Sequence, residues 1–283
     1  MDLKRFSLMT FQIESDLRKK TMTVSDTLQL AKDAGIGYID VMKVRKKQIA
    51  EYQEAMKESG VRINTYIDVI SFLNTRSKYR KQICESLDIA KQLKAASLMI
   101  VPYGVFDVYR ARKIGKNEVI KRMIEGFREA VLIARDTRIR ICVETTPHKE
   151  SCLSGSEDIL QILNAVDGLN FVFDTANMLP NGEDPLKAYE ILKNKISYVH
   201  LKDVSVSKGG FVPAFSEHTP NGEYMECVVW GDGWIPVKQL YENMLKDGYH
   251  GLFAIEYSRP SKKACDLKKH ADHLNKFFEY LDS

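Results

Sequence analysis

The sequence predicts an α/β protein of the (β/α)8 barrel class (TIM barrel), with parallel strands alternating with helices. Short apolar runs alternate with longer stretches whose apolar residues recur at helical spacing. The intervals between the runs are long enough for helical crossovers, and no two-residue hairpin signal joins neighbouring runs. A chain of 283 residues is within the size range of such barrels, so we expect a single domain over residues 1–283.

Eight strand-like runs define the predicted barrel. In chain order they cover residues 5–11, 38–44, 61–69, 97–103, 140–145, 170–174, 197–202 and 252–257. Helices are expected between them, with the clearest apolar stripes in residues 117–137 and 236–247. Gly35, Gly60 and Gly248 stand where a helix would end before the next strand.

An open, doubly wound sheet is the alternative parallel fold. That fold has a glycine-rich phosphate turn after its first strand, and the segment Phe11-Gln12-Ile13-Glu14 does not resemble one. Residues 203–234 are rich in glycine and proline, which predicts a long loop after the seventh strand. In a barrel, such a loop lies on the rim that carries the active site.

Composition limits the classes of partner and the compartment. The formal net charge is +4 and the chain has no long basic run, so we expect no nucleic-acid partner. No apolar window has the length of a membrane span, and we expect no membrane partner. Five cysteines without a Cys-x-x-Cys pair predict reduced thiols, which favours a cytoplasmic protein.

Four polar side chains follow apolar runs in the C-terminal half of the chain. Glu144, Asp174, His200 and Glu256 stand near the ends of the fifth to eighth predicted strands. In a parallel barrel these ends meet at one face, so the side chains can converge. Each one alone has an ordinary explanation, such as a helix cap or an ion pair. Together, three carboxylates and an imidazole among apolar strands need a compensating partner, which one divalent cation would supply.

The residue types limit the metal and its chemistry. Oxygen ligands with one imidazole suit manganese, magnesium, cobalt or zinc, and argue against copper(I) or an iron–sulfur cluster. Three carboxylates around a dication leave a residual negative charge, which favours a neutral polyol or ketose as substrate. The metal would polarise a carbonyl and stabilise an enediolate, while two glutamates flanking the substrate could transfer a proton.

Five segments carry a resemblance to a known family. They are Val143-Glu144-Thr145, Phe173-Asp174-Thr175-Ala176-Asn177, Val199-His200-Leu201-Lys202-Asp203, Gly231-Asp232-Gly233-Trp234 and Ala254-Ile255-Glu256. In these segments the chain resembles the xylose isomerase-like TIM barrel superfamily. The resemblance is closest to the sugar phosphate isomerase/epimerase group, which includes tagatose and psicose 3-epimerases, hydroxypyruvate isomerase and inosose dehydratase.

The resemblance implies roles for the four strand-end residues. Glu144, Asp174, His200 and Glu256 match the metal ligands of the family in order, and Glu144 and Glu256 match its proton-transferring pair. The implied function is a metal-dependent isomerase or epimerase of a small sugar, sugar phosphate or polyol in carbohydrate metabolism. The alternative is a dehydratase of an inosose-like or dehydroshikimate-like substrate, because dehydration begins with the same proton abstraction beside a carbonyl.

Other residues are candidates for contact with the substrate. Asn177 occupies the position where many relatives have a histidine, and it still offers a hydrogen-bond donor and acceptor. Lys202 could reach a substrate oxygen or neutralise a ligand carboxylate. Tyr66 and Trp234 are candidate apolar walls for a sugar ring. Met42 is a second departure, because some members have a glutamate near this point.

Two other functional classes are compatible with the fold. The superfamily includes apurinic endonucleases with three zinc ions, but this chain has no histidine before His148 to build such a site. A barrel that only binds a ligand is disfavoured because both candidate proton-transfer glutamates are present. Relatives form monomers, dimers and tetramers, so the sequence leaves open whether the protein is a homo-oligomer.

Overall fold

The structure is a computed structural model that describes residues 2–103, 107–147, 151–207, 221–260, 263 and 265–283. Within them, eight parallel strands close into a barrel with helices between them. The predicted fold class is therefore confirmed, and a parallel sheet that closes has no edge strand of the kind an open sheet would leave.

The barrel strands follow one another around the barrel in chain order. They are β1 (Phe6–Met9), β2 (Tyr38–Met42), β3 (Arg62–Val69), β4 (Ser97–Val101), β5 (Arg140–Glu144), β6 (Asn170–Asp174), β7 (Ile196–Leu201) and β10 (Phe253–Ile255). Pairing of β1 with both β2 and β10 closes the barrel, with Phe6 beside Phe253 and Ser7 beside Tyr38. Each strand overlaps the run predicted for it.

Ten α-helices are assigned within the described residues. They are α1 (Glu14–Lys19), α2 (Val24–Asp33), α3 (Ile49–Ser59), α4 (Arg76–Gln92), α5 (Asp107–Ile114), α6 (Lys116–Ala134), α7 (Ser156–Ala165), α8 (Pro185–Leu192), α9 (Val237–Lys246) and α10 (Leu267–Asp282). Gly35, Gly60 and Gly248 have φ of 73°, 77° and 83°, the left-handed conformation expected of glycine after a helix. No helix in the described part of the chain has the length and apolar character needed to cross a membrane.

The prediction of a long loop over residues 203–234 was wrong in one respect. Two further strands, β8 (Asp203–Ser207) and β9 (Tyr224–Val228), form an antiparallel hairpin there, with Asp203 opposite Val228 and Ser207 opposite Tyr224. The sequence Asp203-Val204-Ser205-Val206-Ser207 alternates polar and apolar residues, which is a strand signal. The glycines and prolines further along the interval favoured the prediction of a loop instead. Residues 208–220 lie outside the described residues.

Alternation along the strands decides which side chains enter the barrel. A small apolar cluster fills the interior, separate from the larger core between strands and helices. Its buried members are Met9, Ile67, Met99, Cys142, Val172, Tyr198 and Ala254. Side chains two residues further along a strand point to the same interior, one layer nearer the C-terminal face. The apolar cluster is therefore the floor of whatever site lies above it.

Candidate metal centre

The four predicted strand-end residues lie directly above this floor. Cys142, Val172, Tyr198 and Ala254 point into the barrel, so the residues two positions later do the same. Those residues are Glu144, Asp174, His200 and Glu256. Each offers one ligand atom, and these atoms all lie within 4.8 Å of one another. Strand alternation thus brings together in space four residues that span 112 positions of the chain, from 144 to 256.

The contacts within this cluster leave polar atoms without partners. Glu144 Oε1 lies 2.5 Å from His200 Nδ1, and Glu256 Oε2 lies 3.8 Å from the same nitrogen. Neither Glu144 Oε1 nor either nitrogen of His200 has a partner with hydrogen-bond geometry among the described residues. Buried polar atoms without hydrogen bonds are costly, and a cation at their centre would satisfy them. The residues therefore fit a metal ion.

One carboxylate oxygen of Asp174 is hydrogen-bonded to the backbone, and the other faces the cluster. Its Oδ1 accepts hydrogen bonds from the backbone amides of Ala176 and Asn177, each at 2.8 Å. Its Oδ2 is buried and has no hydrogen-bond partner in the described part of the chain. The four ligand atoms lie within 4.8 Å of one another, close enough to surround a single ion.

The pKa values show the electrostatic strain among these groups. Burial raises the pKa of Asp174 well above its ordinary value; Lys202 opposes this effect, whereas Glu256 and Glu144 add to it. Burial alone would lower the pKa of His200, but Glu144 and further nearby carboxylates raise it to about 9. The cluster carries an excess of negative charge, which a divalent cation would offset.

Lys202 is the cation adjoining the cluster, and it is already engaged. Its Nζ lies 3.0 Å from Glu256 Oε1 and donates to Asn177 Oδ1 at 3.1 Å. Burial would raise the pKa of Glu256, but Lys202 and then His200 hold it below its ordinary value. The backbone N–H and C=O of Lys202 both bond to the hydroxyl of Thr175, which fixes the base of the side chain.

The four predicted substrate contacts have different surroundings. Lys202 adjoins the cluster, and Asn177 is 4% exposed with its amide bonded to Lys202 and to the carbonyl of Thr145. Trp234 is 66% exposed, just after the hairpin. Tyr66 is 1% exposed and belongs to the core between strands and helices, whereas its neighbour Ile67 faces the barrel interior.

The placement of Tyr66 does not support the prediction that it lines the site. The alternation of β3 turns Tyr66 to the outer face, where its ring packs in the core between strands and helices. Met42 packs against the interior apolar cluster. His148, on the loop after β5, lies outside the described residues.

Sequence reasoning missed Asp40, a buried carboxylate beneath the cluster. It is 0% exposed, accepts a hydrogen bond from the Tyr198 hydroxyl at 2.5 Å, and its Oδ2 lies 4.0 Å from His200 Nε2. Burial raises the pKa of Asp40, while His200 and Tyr198 oppose this shift. The available signal was an acidic residue in the middle of the apolar run Tyr38-Ile39-Asp40-Val41-Met42, where an unpartnered carboxylate is costly.

A second cluster has the residue types of a metal site but a different arrangement. Asp16, Cys265 and His270 are buried and close together. The Arg259 guanidinium, however, already engages both oxygens of Asp16, at 2.5 and 3.2 Å. The Cys265 amide and His270 Nε2 also bond to Asp16, at 3.0 and 3.1 Å. A guanidinium in this position supplies the charge that a metal would otherwise supply, so we interpret the cluster as structural.

Comparison with known proteins places this barrel among its relatives. Residues 28–277 match the family model of the xylose isomerase-like TIM barrels. Over 132 residues the chain is 29% identical to an inosose dehydratase of Lacticaseibacillus casei. That match covers 44% of this chain and 41% of the relative, so the chain spans less than half the length of the protein it matches.

Two solved structures show the same fold at low identity. The probable 3-DHS dehydratase AsbF from Bacillus anthracis superposes with a TM-score of 0.73 at 16% identity, over 98% of each chain. The IOLI protein, solved with a bound zinc atom, superposes with a TM-score of 0.73 at 18% identity, over 98% of this chain and 97% of that one.

Proposed function

The chain belongs to the xylose isomerase-like TIM barrel family, and from this premise we propose that it is a divalent-metal-dependent dehydratase of a polyhydroxylated ketone. The observation that carries the proposal is the convergence of Glu144, Asp174, His200 and Glu256 with polar atoms that lack partners. The inosose dehydratase relative supports the reaction class, since the chain matches its sequence at 29% identity over 132 residues.

Glu144, Asp174, His200 and Glu256 would hold the metal. When bound, a manganese, magnesium, cobalt or zinc ion would polarise the substrate carbonyl and make the neighbouring C–H bond more acidic. The zinc in the IOLI structure is a precedent for a divalent ion in this fold. The choice among the four ions is part of the proposal to be tested, because all of them accept oxygen and imidazole ligands.

The side chains of this protein would then move one proton in a closed cycle. Glu256 takes the proton from the carbon beside the carbonyl, and the C–H electron pair forms the new C=C bond. The C–O bond of the hydroxyl on the next carbon breaks, and the departing oxygen takes its electron pair and a proton from Lys202 to leave as water. Glu256 then returns its proton to Lys202, whose Nζ lies 3.0 Å away.

The site supports an isomerase or epimerase as a second candidate. Glu144 and Glu256 reach the same ligand cluster and are 11% and 13% exposed at their side chains, so both can meet a substrate. A proton removed by one glutamate could be returned by either at a neighbouring carbon, without loss of water. The isomerase and epimerase chemistry differs from dehydration only after the first proton transfer.

Product analysis separates these candidates. We expect manganese-loaded protein to convert a cyclic polyhydroxy ketone of the inosose type into a product lighter by one water, with the absorbance of a conjugated enone. A product of unchanged composition that carries deuterium from D2O would instead support the isomerase. Neither water loss nor deuterium exchange, with several polyhydroxy ketones and ketose phosphates, would contradict both and favour a ligand-binding barrel.

Replacement of the proposed base tests the assignment of roles. Glu256→Gln should lower turnover by about 10²- to 10⁴-fold, the usual contribution of a general base, while the circular dichroism spectrum is unchanged. The exposed Glu58 offers a matched control, since Glu58→Gln makes the same change away from the site. Wild-type turnover by the Glu256→Gln protein would contradict the mechanism.

A further inference from the structure

We propose that Asp40, held by Tyr198, is a positioning residue that fixes the orientation of His200 in the metal centre. The inference rests on the proposed function, because it concerns how the protein prepares one ligand of that centre. It is carried by the contacts of the two nitrogens of His200 and by the contacts of the Asp40 carboxylate beneath them.

The two nitrogens of His200 face different groups. Nδ1 points to the ligand cluster, where it lies 2.5 Å from Glu144 Oε1 and 3.8 Å from Glu256 Oε2. Nε2 is on the side of Asp40, whose Oδ2 lies 4.0 Å away. Neither nitrogen has a hydrogen-bond partner among the described residues. The geometry therefore assigns Nδ1 as the metal-binding atom and leaves Nε2–H to face the Asp40 carboxylate.

The carboxylate of Asp40 is itself held in place by neighbouring strands. Its Oδ1 accepts hydrogen bonds from the Thr65 amide at 3.0 Å and the Asn64 side chain at 3.4 Å. Its Oδ2 accepts the Tyr198 hydroxyl at 2.5 Å and remains on the side of His200. A carboxylate oxygen can accept more than one hydrogen bond, so Oδ2 keeps capacity for an imidazole donor.

The Tyr198 ring restricts the imidazole from a second direction. Its centroid is 5.1 Å from that of His200, and the two ring planes are nearly perpendicular at 88°. Tyr198 and His200 are two residues apart on β7 and both point into the barrel. Tyr198 therefore contacts His200 through its ring and Asp40 through its hydroxyl, so one side chain links the carboxylate to the ligand.

Asp40 Oδ2, 4.0 Å from Nε2, stands on the side where a histidine ligand usually has its partner. A metal-bound imidazole usually donates its other ring N–H to a carboxylate or carbonyl, which fixes the tautomer and strengthens the ligand. Loss of such a partner typically lowers metal affinity by about 10- to 100-fold. If Asp40 served only to bind Thr65 and Tyr198, its replacement would change stability and leave metal affinity as it was.

Metal titration of three variants tests the proposal. Manganese binding followed by electron paramagnetic resonance should weaken by about 10- to 100-fold in Asp40→Asn, and by a smaller factor in Tyr198→Phe. Asp68→Asn is the matched control, because Asp68 is a partly buried carboxylate that bonds to Ser86 of α4. Wild-type affinity in both Asp40→Asn and Tyr198→Phe would overturn the proposal.

A spectroscopic measurement separates positioning from structural support. In the cobalt(II)-loaded protein, the exchangeable N–H proton of His200 should give a hyperfine-shifted NMR signal that moves in Asp40→Asn and Tyr198→Phe. The same signal should be unchanged in Asp68→Asn. If Asp40→Asn does not fold, Tyr198→Phe decides: an unmoved signal overturns the proposal, and a moved one supports it.

A double variant tests whether Asp40 acts through His200. In a His200→Asn background, Asp40→Asn should cause no further loss of manganese affinity, since the imidazole that it orients is absent. An equal loss in both backgrounds would overturn the proposal. If the wild-type protein binds manganese and Asp40→Asn binds it equally well, only the role of Asp40 is refuted. If the wild-type protein binds no manganese, the proposed function fails as well.

Discussion

Asn177 joins the ends of three barrel strands through its side-chain amide and its backbone amide. Its Nδ2 donates to the carbonyl of Thr145 after β5 at 2.7 Å, and its Oδ1 accepts from Lys202 after β7 at 3.1 Å. Its own backbone amide donates to Asp174 at the end of β6. The amide of Asn177 makes both side-chain contacts at once, because it has both a donor and an acceptor. Asn177 therefore helps to place Lys202.

Replacement of Asn177 should lower the stability of the folded protein. Asn177→Ala removes the donor to the buried Thr145 carbonyl, which should lower the free energy of unfolding by about 1 to 3 kcal/mol. Chemical denaturation followed by circular dichroism measures the change. Asn194→Ala, at an exposed position, is the matched control and should change stability by less than about 0.5 kcal/mol. An equal effect of the two variants would contradict the structural role of Asn177.

At the scale of residues, the sequence predicts those contacts that follow from the positions of residues along the strands. The four clustered residues could be predicted to converge because each stands at a strand end, and strand ends meet at one face of a barrel. Tyr66 could not be placed without knowing the phase of alternation in β3. Asp40 was missed because its partner Tyr198 is 158 positions away, and single-sequence patterns carry no information on such a pair.

Among the elements, the β8–β9 hairpin ends in a turn built around one carboxylate. Asp203 accepts hydrogen bonds from the backbone amides of Val204, Gly231, Gly233 and Ile235, at 2.8 to 3.1 Å. Gly231 and Gly233 shape this turn, because both of their amides donate to the same oxygen of Asp203. The turn fixes the backbone of Trp234, whose amide donates to the carbonyl of Val204 at 3.0 Å.

Gly233 should tolerate no side chain at this turn. A Cβ there would clash with the Asp203 carboxylate and lie 2.6 Å from the carbonyl oxygen of Val204, closer than real Cβ contacts. We expect Gly233→Ala to lower the free energy of unfolding by about 1 to 3 kcal/mol. Gly37→Ala is the control, since its Cβ would meet the Lys4 carbonyl oxygen at an ordinary 3.6 Å. Thermal unfolding that ranks the variants in the opposite order would be inconsistent with this packing.

The elements differ in how well the sequence predicts them. The eight barrel strands were predictable because each is an apolar run followed by a helical stripe, and the two periods are distinct. The hairpin was not, because β8 (Asp203–Ser207) stands in an interval with many turn-forming residues. Its pairing with β9 depends on contacts between residues up to 25 positions apart, Asp203 and Val228.

For the whole molecule, a buried ion pair joins the segments that follow the first and the last barrel strands. Asp16 belongs to α1, after the first strand, and Arg259 follows β10, the strand that pairs with β1. Burial alone would raise the pKa of Asp16, but hydrogen bonds from the Cys265 amide, Arg259 and His270 lower it below its ordinary value. The ionised carboxylate therefore stabilises the folded protein.

The effect of Asp16 on stability should depend on pH. Because its pKa is lower in the folded than in the unfolded protein, its contribution is present above the unfolded value of about 3.9 and is lost as pH falls through the folded value. Asp16→Asn should therefore lose about 3 kcal/mol at neutral pH and should show a weaker decline of stability in acid. Denaturant unfolding across this pH range measures both effects. The exposed Asp136→Asn is the control, and an equal acid decline in wild type and Asp16→Asn would argue against the ion pair.

The barrel as a whole could be predicted from the number and spacing of its strands, whereas its site depends on the layer beneath. The apolar cluster around Met99 and Val172 forms the floor, and Asp40 with Tyr198 interrupts it below His200. The packing of all eight strands decides which polar groups lie within this apolar layer. The sequence therefore predicts where the site lies better than it predicts how the site is supported.

Metal content is the most direct test of the account. Purified protein reconstituted with manganese and freed of excess ion should contain about one ion per chain by plasma mass spectrometry, as expected for a single cluster of four ligands. A Glu144→Gln, His200→Ala double variant treated in the same way should contain almost none. The absence of bound manganese, zinc, cobalt and magnesium from the wild-type protein after reconstitution would contradict the proposed metal centre and the reaction that depends on it.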